Sequence, residues 1–540
     1  MPDYMDYDFV IVGSGFGGSV SALRLAEKGY SVLVIEKGKW FKAQDFPKTN
    51  LNLKKWLWEP KARFFGFFKM TFLNHVTVLS GVGVGGGSLT WANTMPIPQK
   101  EFFNSGSWAS LNDWQEDLKP YYQEAYRMLG AVENPVMGPA DKVVKDLAKD
   151  LEREEYFTKP KVAVHFGEPG KTVADPYFGG KGPDRTGCIS CGACMTGCRH
   201  NAKNTLDKNY LYLAQQLGTE IIAEKEVYDI RPLDGQSGAT GYEVSYKNSL
   251  KRGGKTSVRA KNVIFSGGVL GTVPLLLKLK AKGSLPRLSD KVGCNIRTNN
   301  ESLLVLTSTE RGNKDYTKGI AIGSVLHIDK NSHLEPVRYG RGSSFFKWLT
   351  TPSVGHKWLI VRLLGILKLL FTKPLKLLKT FFNKSYSEST MILLFMQTLD
   401  STLRLKLGKL TPLKTTKESG EKPSGYIPEA SKLAKLLGRK VKAIPYSNFV
   451  DVLLGTPTTA HILGGAVMGT DAKEGVIDKD NHVFGYENMM VCDGSMISAN
   501  PGVNPSLSIT AITERAMAQI APKLKAEFEE HSNQLLNQEV

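Results

Sequence analysis

Four cysteines lie within eleven residues of the chain, in the spacing Cys188-x2-Cys191-x2-Cys194-x3-Cys198. Thiolates at this spacing hold iron–sulfur clusters in bacterial ferredoxins, and a structural zinc site is a second use of such a run. In two-cluster ferredoxins a proline follows the fourth cysteine, whereas Arg199 follows it here and no second cysteine run occurs. Free or paired thiols that brace a loop are therefore a third interpretation, and the run alone does not choose among the three.

One histidine and one asparagine are candidates for proton chemistry, because both stand on turns rather than on helix faces. His461 precedes the glycine pair at 464 and 465, and Asn504 lies between Val503 and Pro505. An imidazole titrates near neutral pH and can donate or accept a proton, whereas an amide can hold a hydroxyl group without titrating. A lone histidine is more often structural, so this assignment depends on the elements around it.

The first folded residues form the pattern of a dinucleotide-binding βαβ unit. An apolar strand over 8–12 runs into a glycine-rich turn, a helix over 19–28 follows, and a second buried strand over 31–35 ends at Glu36. The turn reads Gly13-Ser14-Gly15-Phe16-Gly17-Gly18 and contains G-x-G-x-x-G. Strand, turn, helix, strand and terminal acid follow in order, which predicts an adenine dinucleotide as cofactor.

Each part of this unit has a physical task. Gly13 permits the tight turn, Gly15 lets a pyrophosphate approach the backbone, and Gly18 lets the helix pack closely on the strand. The start of the helix offers free N–H groups and the positive end of the helix dipole, which attract phosphates. Glu36, an acid about 20 residues beyond the glycines, can accept hydrogen bonds from a ribose diol.

Two later blocks suit the same cofactor. Residues 80–88 are rich in glycine and have apolar neighbours, so Gly83 and Gly85–Gly87 would leave a buried backbone free to pass against a flat ring. Near the carboxyl end, a short apolar strand over 489–492 is followed by Asp493, a turn over 500–506 and a helix over 507–521. The cofactor domain is therefore predicted to be discontinuous.

Together these blocks resemble the glucose-methanol-choline (GMC) flavoprotein oxidoreductases. The resemblance rests on residues 13–36, the stretch from 83 to Asn93, His461 in TAHILGG and residues 493–506, DGSMISANPGVNPS. The blocks occur in the family's order and cover nearly the whole chain. Within the family, the chain is most similar to the cholesterol-oxidising bacterial branch that carries a cysteine cluster ahead of AKNTLDKNYL, here residues 202–211.

The resemblance implies an α/β fold with two domains. A Rossmann-type FAD-binding domain would be discontinuous and comprise residues 1–100, 205–300 and 456–540. A substrate-binding domain, built on a mixed β-sheet plus helices, would comprise residues 101–204 and 301–455. The cysteine cluster at 188–198 and a basic, apolar insert at 345–385 would belong to the second domain.

The resemblance also implies roles for single residues. His461 matches the family's active-site histidine, and Asn504 matches its partner asparagine. The glycine turn and Glu36 would hold the ADP half of FAD, the stretch ending at Asn93 would line the isoalloxazine, and Asp493 would bond the ribityl or pyrophosphate region. The cofactor-binding candidates are Gly13, Ser14, Gly15, Phe16, Gly17, Gly18, Glu36, Gly83, Gly85, Gly86, Gly87, Asn93, Asp493, Gly494, Asn504 and Pro505.

The implied reaction is FAD-dependent oxidation of the 3-hydroxyl group of cholesterol or a related sterol to a 3-ketosteroid, with O2 or a carrier as electron acceptor. The flavin takes a hydride, so the protein must orient the hydroxyl group and accept its proton. A coupled shift of the 5-ene to the 4-ene would need a carboxylate base, for which Glu335 in HLEPVRYG is the candidate. Its neighbour Arg338 equally favours an ordinary ion pair, and both interpretations stay open.

The net charge of +18 predicts an anionic partner. No nucleic-acid-binding motif occurs, so a membrane surface is favoured over nucleic acid. Residues 345–385, called here the basic apolar segment, carry eight Lys or Arg, no acid and long apolar runs. This composition is typical of a helix in an anionic membrane interface, while a core helix pair with snorkelling lysines is the alternative.

The expected location is cytoplasmic and peripheral at the inner face of the membrane. The first strand begins about eight residues from Met1, which leaves no room for a signal peptide, and no apolar run is long enough to span a bilayer. Two other functions stay open. One is an FAD dehydrogenase of another lipophilic alcohol that passes electrons through a cysteine-ligated iron–sulfur cluster, and the other is a non-catalytic, membrane-associated redox carrier.

Overall fold

The predicted βαβ unit lies at the centre of a seven-stranded sheet. The computed structural model describes residues 5–309, 314–408, 413–421 and 423–523. In spatial order, the strands of this first sheet are Glu220–Ile222, Val32–Ile35, Tyr7–Val12, Thr256–Phe265, Tyr242–Asn248 and Lys225–Pro232, and Met489–Val491 pairs with the end of Thr256–Phe265.

Five of these strands are parallel and form a Rossmann-type layer. Val10 stands between Leu33 and Val263, and all three side chains are buried, as in a sheet that is covered on its faces. The helix Phe16–Glu27 follows the glycine turn and packs against the helices Tyr210–Gln216 and Ser506–Ala518. The predicted α/β fold class is confirmed.

The second sheet also has seven strands, and all of its pairs are antiparallel. In spatial order, they are Thr350–Pro352, Ala443–Asn448, Ser302–Ser308, Thr390–Gln397, Ser332–Val337, Val325–Asp329 and Phe157–Thr158. The mixture of parallel and antiparallel strands lies in the first sheet instead. Alternation along a strand reveals its buried face but not the direction of its neighbour, so the sequence pattern could not make this distinction.

The two faces of the second sheet bury different partners. On one face, Leu306 and Phe395 join the core formed with the helices Pro139–Asp150 and Pro428–Lys440. On the other face, Leu394 lines the cavity described below. The sheet therefore connects a helical layer to the site.

The other elements are short or peripheral. The remaining α-helices of the described chain are Leu53–Trp56, Lys100–Phe103, Trp114–Asp117, Lys119–Met128, Val269–Lys282, Leu359–Thr372, Pro374–Phe381 and Tyr386–Ser389. The smaller sheets are Phe68–Phe72 with Thr77–Gly81 and Thr458–Thr459, Thr402–Leu407 with Leu413–Ser419, Trp58–Glu59 with Phe64–Phe65, Val132–Glu133 with Lys161–Val162, and Thr172–Val173 with Arg185–Thr186.

The strands of the two large sheets come from the segments assigned to the respective domains. The domain division itself stays a prediction, and residues 524–540 lie outside the described part.

The basic apolar segment forms the helices Leu359–Thr372 and Pro374–Phe381. A core helix pair would bury its apolar side chains, but Arg362 is the one buried residue of the first helix. Apolar side chains that are more than half exposed include Trp348, Trp358, Ile360, Leu364, Leu370, Phe371, Leu375, Leu378 and Phe382. The core interpretation is therefore wrong for this segment. Across the described ranges, none of the helices combines the length and the apolar character needed to cross a bilayer.

Candidate active site

A cavity of about 480 Å³ connects the glycine turn of the first sheet with the inner face of the second sheet. Gly15 and Glu36 line it from the first sheet, Asp493 and Asn504 from the carboxyl-terminal turn, and Leu394 from the second sheet. Its volume lies within the range of small-molecule sites. The cavity therefore brings the predicted cofactor and catalytic blocks into one space.

The glycines of the first turn serve two different purposes. Gly13 has a φ of 102°, a backbone conformation that favours glycine. Gly17 packs against the strand end near the carboxyl terminus, where a Cβ would stand 1.7 Å from the carbonyl oxygen of Cys492. A Cβ on Gly18 would stand 2.1 Å from the carbonyl oxygen of Gly13. Gly15 lines the cavity, and apart from its chain neighbours the nearest protein atom to a Cβ there would be the carbonyl oxygen of Ser266, at 3.9 Å. Gly15 thus leaves room for a ligand, as the motif predicts.

Glu36 is oriented by the chain's own groups. Its Oε1 accepts the N–H of Gly38 at 2.8 Å, and its Oε2 accepts the hydroxyl of Ser14 at 2.8 Å. Ser14 does not line the cavity; its Oγ accepts the N–H of Gly85 at 3.1 Å. Ser14 therefore joins the two glycine-rich turns and fixes the carboxylate that borders the cavity.

Some glycines of the second glycine-rich stretch line the cavity, and others lie in the backbone behind it. Gly86 and Gly87 line the cavity, whereas Gly83 and Gly85 do not. A Cβ on Gly86 would stand 2.7 Å from the Cα of Gly15, so the two turns touch. Gly83 has a φ of 140°, which favours glycine, and its surroundings are closely packed. Gly83 and Gly85 therefore shape the turn, while Gly86 and Gly87 face the ligand space.

Several buried polar atoms of the cavity wall have no hydrogen-bond partner in the described structure. They are both amide atoms of Asn93, the indole N–H of Trp91 and the Oδ1 of Asn504. The ring of Phe16, which also lines the cavity, lies 4.9 Å from the ring of Trp91. Buried polar atoms without partners are costly unless a ligand pairs with them. The wall therefore fits a planar cofactor with a polar edge.

Asp493 holds the carboxyl-terminal turn against the first sheet. Its Oδ2 accepts the N–H of Gly268 at 2.8 Å and the hydroxyl of Thr272, and its Oδ1 accepts the N–H of Ser495 at 2.8 Å. Burial raises the pKa of this carboxyl despite these donors.

The residues that follow Asp493 complete the wall. Gly494 and Pro505 both line the cavity, and Pro505 directly precedes the helix Ser506–Ala518. The free N–H groups at the start of this helix favour negative charge on a bound group.

His461 lies between a carboxylate and an amide. Its Nδ1 is 2.7 Å from the Oε1 of Glu301, and its Nε2 is 3.4 Å from the amide nitrogen of Asn504. All three residues line the cavity. Because Nδ1 faces the carboxylate, Nε2 is the nitrogen that remains for a ligand.

The contact between Glu301 and His461 changes the pKa of both groups. Burial opposes the charge on His461, but the carboxylate of Glu301 outweighs it and raises the pKa of the imidazole. Burial likewise opposes the charge on Glu301, but the imidazole, the N–H of Ala460 at 3.0 Å and the hydroxyl of Thr459 at 2.8 Å hold the pKa of the carboxyl below its ordinary value. The site therefore contains a stabilised carboxylate beside a more basic histidine.

Glu301 was missed by the sequence analysis. The available signal was an acid directly before the buried apolar strand Ser302–Ser308, where a charge needs a partner. That partner, His461, follows 160 residues later in the chain.

The far wall of the cavity is apolar. Leu303, Val337 and Leu394 project from the second sheet, and Tyr339 lies just beyond one of its strands. Further apolar side chains on this wall are Met195 and Ile322. The wall suits a hydrocarbon skeleton whose polar group reaches His461.

Glu335 lies on the cavity-facing side of the second sheet, directly opposite Leu394 on the neighbouring strand. It is 2% exposed, its Oε2 has no hydrogen-bond partner, and its Oε1 is 3.6 Å from the Nε2 of His333. Arg338 pairs with Asp141, so the ion pair with Glu335 that the sequence suggested is absent. Glu335 is not itself among the lining residues.

The four cysteines of the predicted cluster are free thiols that line a small cavity of about 20 Å³. Burial raises the pKa of Cys188 to about 12 and that of Cys194 to about 11. In the part of the chain that the structure describes, no group of three or more His, Cys, Asp or Glu side chains is arranged to hold a metal ion. The metal site at Cys188, Cys191, Cys194 and Cys198 therefore stays a prediction that the geometry does not support.

Comparisons with known proteins agree with this arrangement. Family models described as GMC oxidoreductase match residues 181–299 and 445–513, and a model of NAD(P)-binding Rossmann-like domains matches residues 11–40. The cholesterol oxidase of Acinetobacter baumannii is 43% identical over 532 residues, which cover 96% of this chain and 95% of the relative. The chain belongs to the GMC oxidoreductases. Another similar protein, the cholesterol oxidase of Mycobacterium tuberculosis, is 42% identical over 528 residues, which cover 95% of this chain and 90% of the relative.

More distant comparisons support the fold of this GMC oxidoreductase. A long-chain-alcohol oxidase of Arabidopsis thaliana is 23% identical over 564 residues, which cover 96% of this chain and 68% of the relative. The crystal structure of pyridoxine 4-oxidase from Mesorbium loti has a TM-score of 0.63 at 14% identity and covers 96% of this chain and all of that chain, which shows likeness of fold alone.

As a GMC oxidoreductase, the protein is a flavin-dependent alcohol oxidoreductase with FAD as its cofactor. The residues present fit this group. Gly15 leaves open space at a helix start, Glu36 borders that space, and Asn93 offers an unpaired amide. These residues would hold FAD, which supplies the hydride acceptor.

Proposed function

We propose that this GMC oxidoreductase oxidises the 3-hydroxyl group of cholesterol or a related sterol to a 3-ketosteroid, with O2 as electron acceptor. The observation that carries the proposal is the position of His461 and Asn504 opposite an apolar wall that includes Leu394. A sterol has a single hydroxyl group at the end of a rigid hydrocarbon, so it matches this division of the cavity. The two relatives named cholesterol oxidase, at 42–43% identity, favour the same substrate class and an oxidase reaction.

In this mechanism, the protein handles the proton of the alcohol. The amide of Asn504 and the Nε2 of His461 hold the hydroxyl group, and Nε2 accepts its proton as the hydride leaves the carbon. Glu301 keeps a proton on Nδ1, so Nε2 is the free base, and the carboxylate stabilises the imidazolium that forms. Exclusion of water by the apolar wall strengthens these contacts.

We also propose Glu335 as the base that moves the double bond from the 5-ene to the 4-ene position. Its carboxyl is buried in an apolar sheet face, and its Oε2 is unpaired. A proton removed from one carbon of the 5-ene-3-ketone and returned to another would complete the shift without a net change in charge. Its effect on the pKa of His461 indicates that the two groups interact electrostatically.

The basic apolar segment is proposed as a surface that binds an anionic membrane. Its two helices expose many large apolar side chains, and the segment carries eight cations and no acid. Apolar insertion and attraction to anionic lipids act together in such helices. The segment is linked to the cavity wall by ring contacts: Trp348 packs on Phe381, and Tyr339, which lines the cavity, packs on Phe346.

The decisive experiment is anaerobic mixing of the FAD-loaded protein with a panel of alcohols. Cholesterol and related 3-hydroxysterols should bleach the oxidised flavin absorbance, whereas long-chain primary alcohols of similar hydrophobicity should bleach it much more slowly. Re-admission of O2 should restore the absorbance and release one peroxide for each ketone. If the flavin stays oxidised with every sterol while another alcohol reduces it, the substrate proposal is wrong. If reduced flavin survives in air and reoxidises only with an artificial acceptor, O2 is not the acceptor.

A further inference from the structure

One arginine of the basic apolar segment faces the protein instead of the surface. Arg362 is 7% exposed, on the helix Leu359–Thr372. The exposed side chains of Ile360, Leu364 and Phe371 lie on the opposite face, about half a turn away. A buried guanidinium ordinarily pairs with a carboxylate, because the loss of its hydration is costly.

The guanidinium of Arg362 has no such partner. Its Nη1 donates one long hydrogen bond, of 3.4 Å, to the carbonyl oxygen of His356, and its Nε is buried without any partner. Within the described ranges, no acidic side chain forms an ion pair with it. Burial lowers the pKa of this guanidinium, and no neighbouring charge opposes that effect. Arg362 is therefore a buried cation with several unused donors.

Arg362 lines a second cavity, of about 30 Å³, between its helix and the helix Pro428–Lys440. Ser353, Tyr426 and Ser431 also line it, and their hydroxyl groups make no hydrogen bond to any described residue. Lys435, which is exposed, lies at the same cavity. One water needs about 10–15 Å³ of cavity, so this space has room for one small oxyanion but not for an acyl chain.

The acid in the wall of this cavity does not compensate Arg362. Asp451 is 2% exposed, and its Oδ1 accepts the hydroxyl of Thr458 at 2.9 Å while its Oδ2 accepts that of Ser447 at 3.4 Å. Burial raises the pKa of this carboxyl to about 7. Asp451 is therefore partly neutral near neutral pH, which weakens its repulsion of a bound anion.

We propose that this cavity binds a phosphate group through the guanidinium of Arg362 and the hydroxyl groups around it. The planar fork of an arginine matches two phosphate oxygens, and hydroxyl groups can donate to the others. Because the cavity lies directly behind the exposed apolar face of the helix, a phospholipid headgroup is the expected source. That source rests on the proposed membrane role of the segment, whereas the anion site itself does not.

The first test is the thermal midpoint of the full-length, FAD-loaded protein. Inorganic phosphate should raise the midpoint about 1–2 °C more than chloride at equal ionic strength. Arg362→Met should lose this increment, and Lys368→Met, which removes a positive charge from an exposed position of the same helix, should keep it. Phosphate stabilises many proteins without a site, so the difference between the two variants is the readout. An equal increment in both would overturn the site.

A second variant keeps the charge and removes hydroxyl groups. The double change Tyr426→Phe and Ser431→Ala should reduce the phosphate increment while Arg362 stays in place, so the site remains testable if Arg362→Met does not fold. An unchanged increment in this double variant would show that these hydroxyl groups do not hold the anion, and the site as proposed would be wrong.

Vesicle binding identifies the source of the phosphate. The unmodified protein and Lys368→Met should bind vesicles of neutral galactolipid with phosphatidylglycerol about fivefold more tightly than vesicles of equal surface charge that contain oleate, whereas Arg362→Met should bind both equally. A phosphate increment without this preference would assign the site to a soluble phosphate and overturn the lipid source. Absence of all vesicle binding would refute the proposed membrane surface, while the midpoint would still test the site. Sterol-dependent flavin reduction is measured separately and depends on neither result.

Discussion

The Nδ1 of His461 and the Oε1 of Glu301 are 2.7 Å apart, although the two residues are separated by 160 positions in the chain. The contact raises the pKa of the imidazole and leaves Nε2 directed toward Asn504. Glu301 does not need to touch a substrate to have this effect. It is a positioning residue, and its removal should change the pH dependence of the reaction as well as its rate.

The first prediction concerns Glu301→Gln. A neutral amide no longer stabilises the imidazolium, so the pKa of His461 should fall toward or below its ordinary value. Because His461 acts as a base, anaerobic flavin reduction in the unmodified enzyme should rise with pH through the raised pKa. In Glu301→Gln the rise should occur at lower pH, with a maximal rate about 10- to 100-fold lower. An unaltered pH profile would show that the contact does not tune the histidine.

The second prediction concerns His461 itself. His461→Asn should lower the rate of flavin reduction by the alcohol about 10²- to 10⁴-fold, the range expected when a general base is removed. Flavin content should remain normal, because His461 is not among the residues expected to hold FAD. His482→Asn, at a more exposed histidine that pairs with Asp478, is the control and should leave the rate unchanged. Full activity in His461→Asn would remove this residue from the mechanism.

A third prediction separates oxidation from isomerisation. Glu335→Gln should oxidise the sterol at a rate within about threefold of the unmodified enzyme but accumulate the 5-ene-3-ketone, because the buried base for the proton shift is absent. The ratio of the two ketones, measured by chromatography of a single-turnover mixture, is the readout. If the 4-ene product forms as quickly as before, another group moves the proton or none is required.

The fourth prediction compares two glycines of one turn. Gly17→Ala places a methyl group 1.7 Å from the carbonyl oxygen of Cys492, so it should lower the thermal midpoint strongly or prevent folding. Gly15→Ala meets no protein atom closer than 3.9 Å and should preserve the midpoint of the flavin-free chain. The same change should weaken FAD binding about tenfold or more, because the methyl group occupies ligand space. Equal effects of the two substitutions would contradict the division of roles.

The fifth prediction concerns the basic apolar segment. The unmodified protein should sediment with vesicles that contain anionic phospholipid, bind neutral phosphatidylcholine vesicles more weakly, and dissociate as salt is raised. The double change Leu364→Ser and Phe371→Ser removes two exposed apolar side chains and should weaken binding about tenfold or more. Oxidation of detergent-dispersed sterol should be unaffected.

A matched control tests whether this effect is local. Leu217→Ser removes an apolar side chain that is 53% exposed outside the segment, and it should leave vesicle binding unchanged. Equal binding of all variants to anionic vesicles would exclude the segment as the membrane surface.

The predictions that proved correct were based on patterns among residues that are close together in the sequence. The order of strand, turn, helix, strand and acid around Gly15 and Glu36 is set by neighbouring residues, so it could be read without the fold. The same holds for the basic apolar segment, where apolar residues without acidic neighbours indicated helices that the structure leaves exposed. The direction of strand pairing in the second sheet depends on distant segments, and the alternation pattern could not supply it.

By itself, the sequence determined a dinucleotide-binding unit and the turns that carry His461 and Asn504, because each of these depends on short spacings along the chain. The order of these blocks along the chain indicated the family and, through it, FAD. Only the tertiary structure decided that Glu301 holds His461 and that Arg338 pairs with Asp141 rather than with Glu335. In each case the contact joins segments far apart in sequence. The physical reason is that a buried charge takes whichever opposite charge or ligand the packed fold brings within reach, and sequence proximity does not specify that partner.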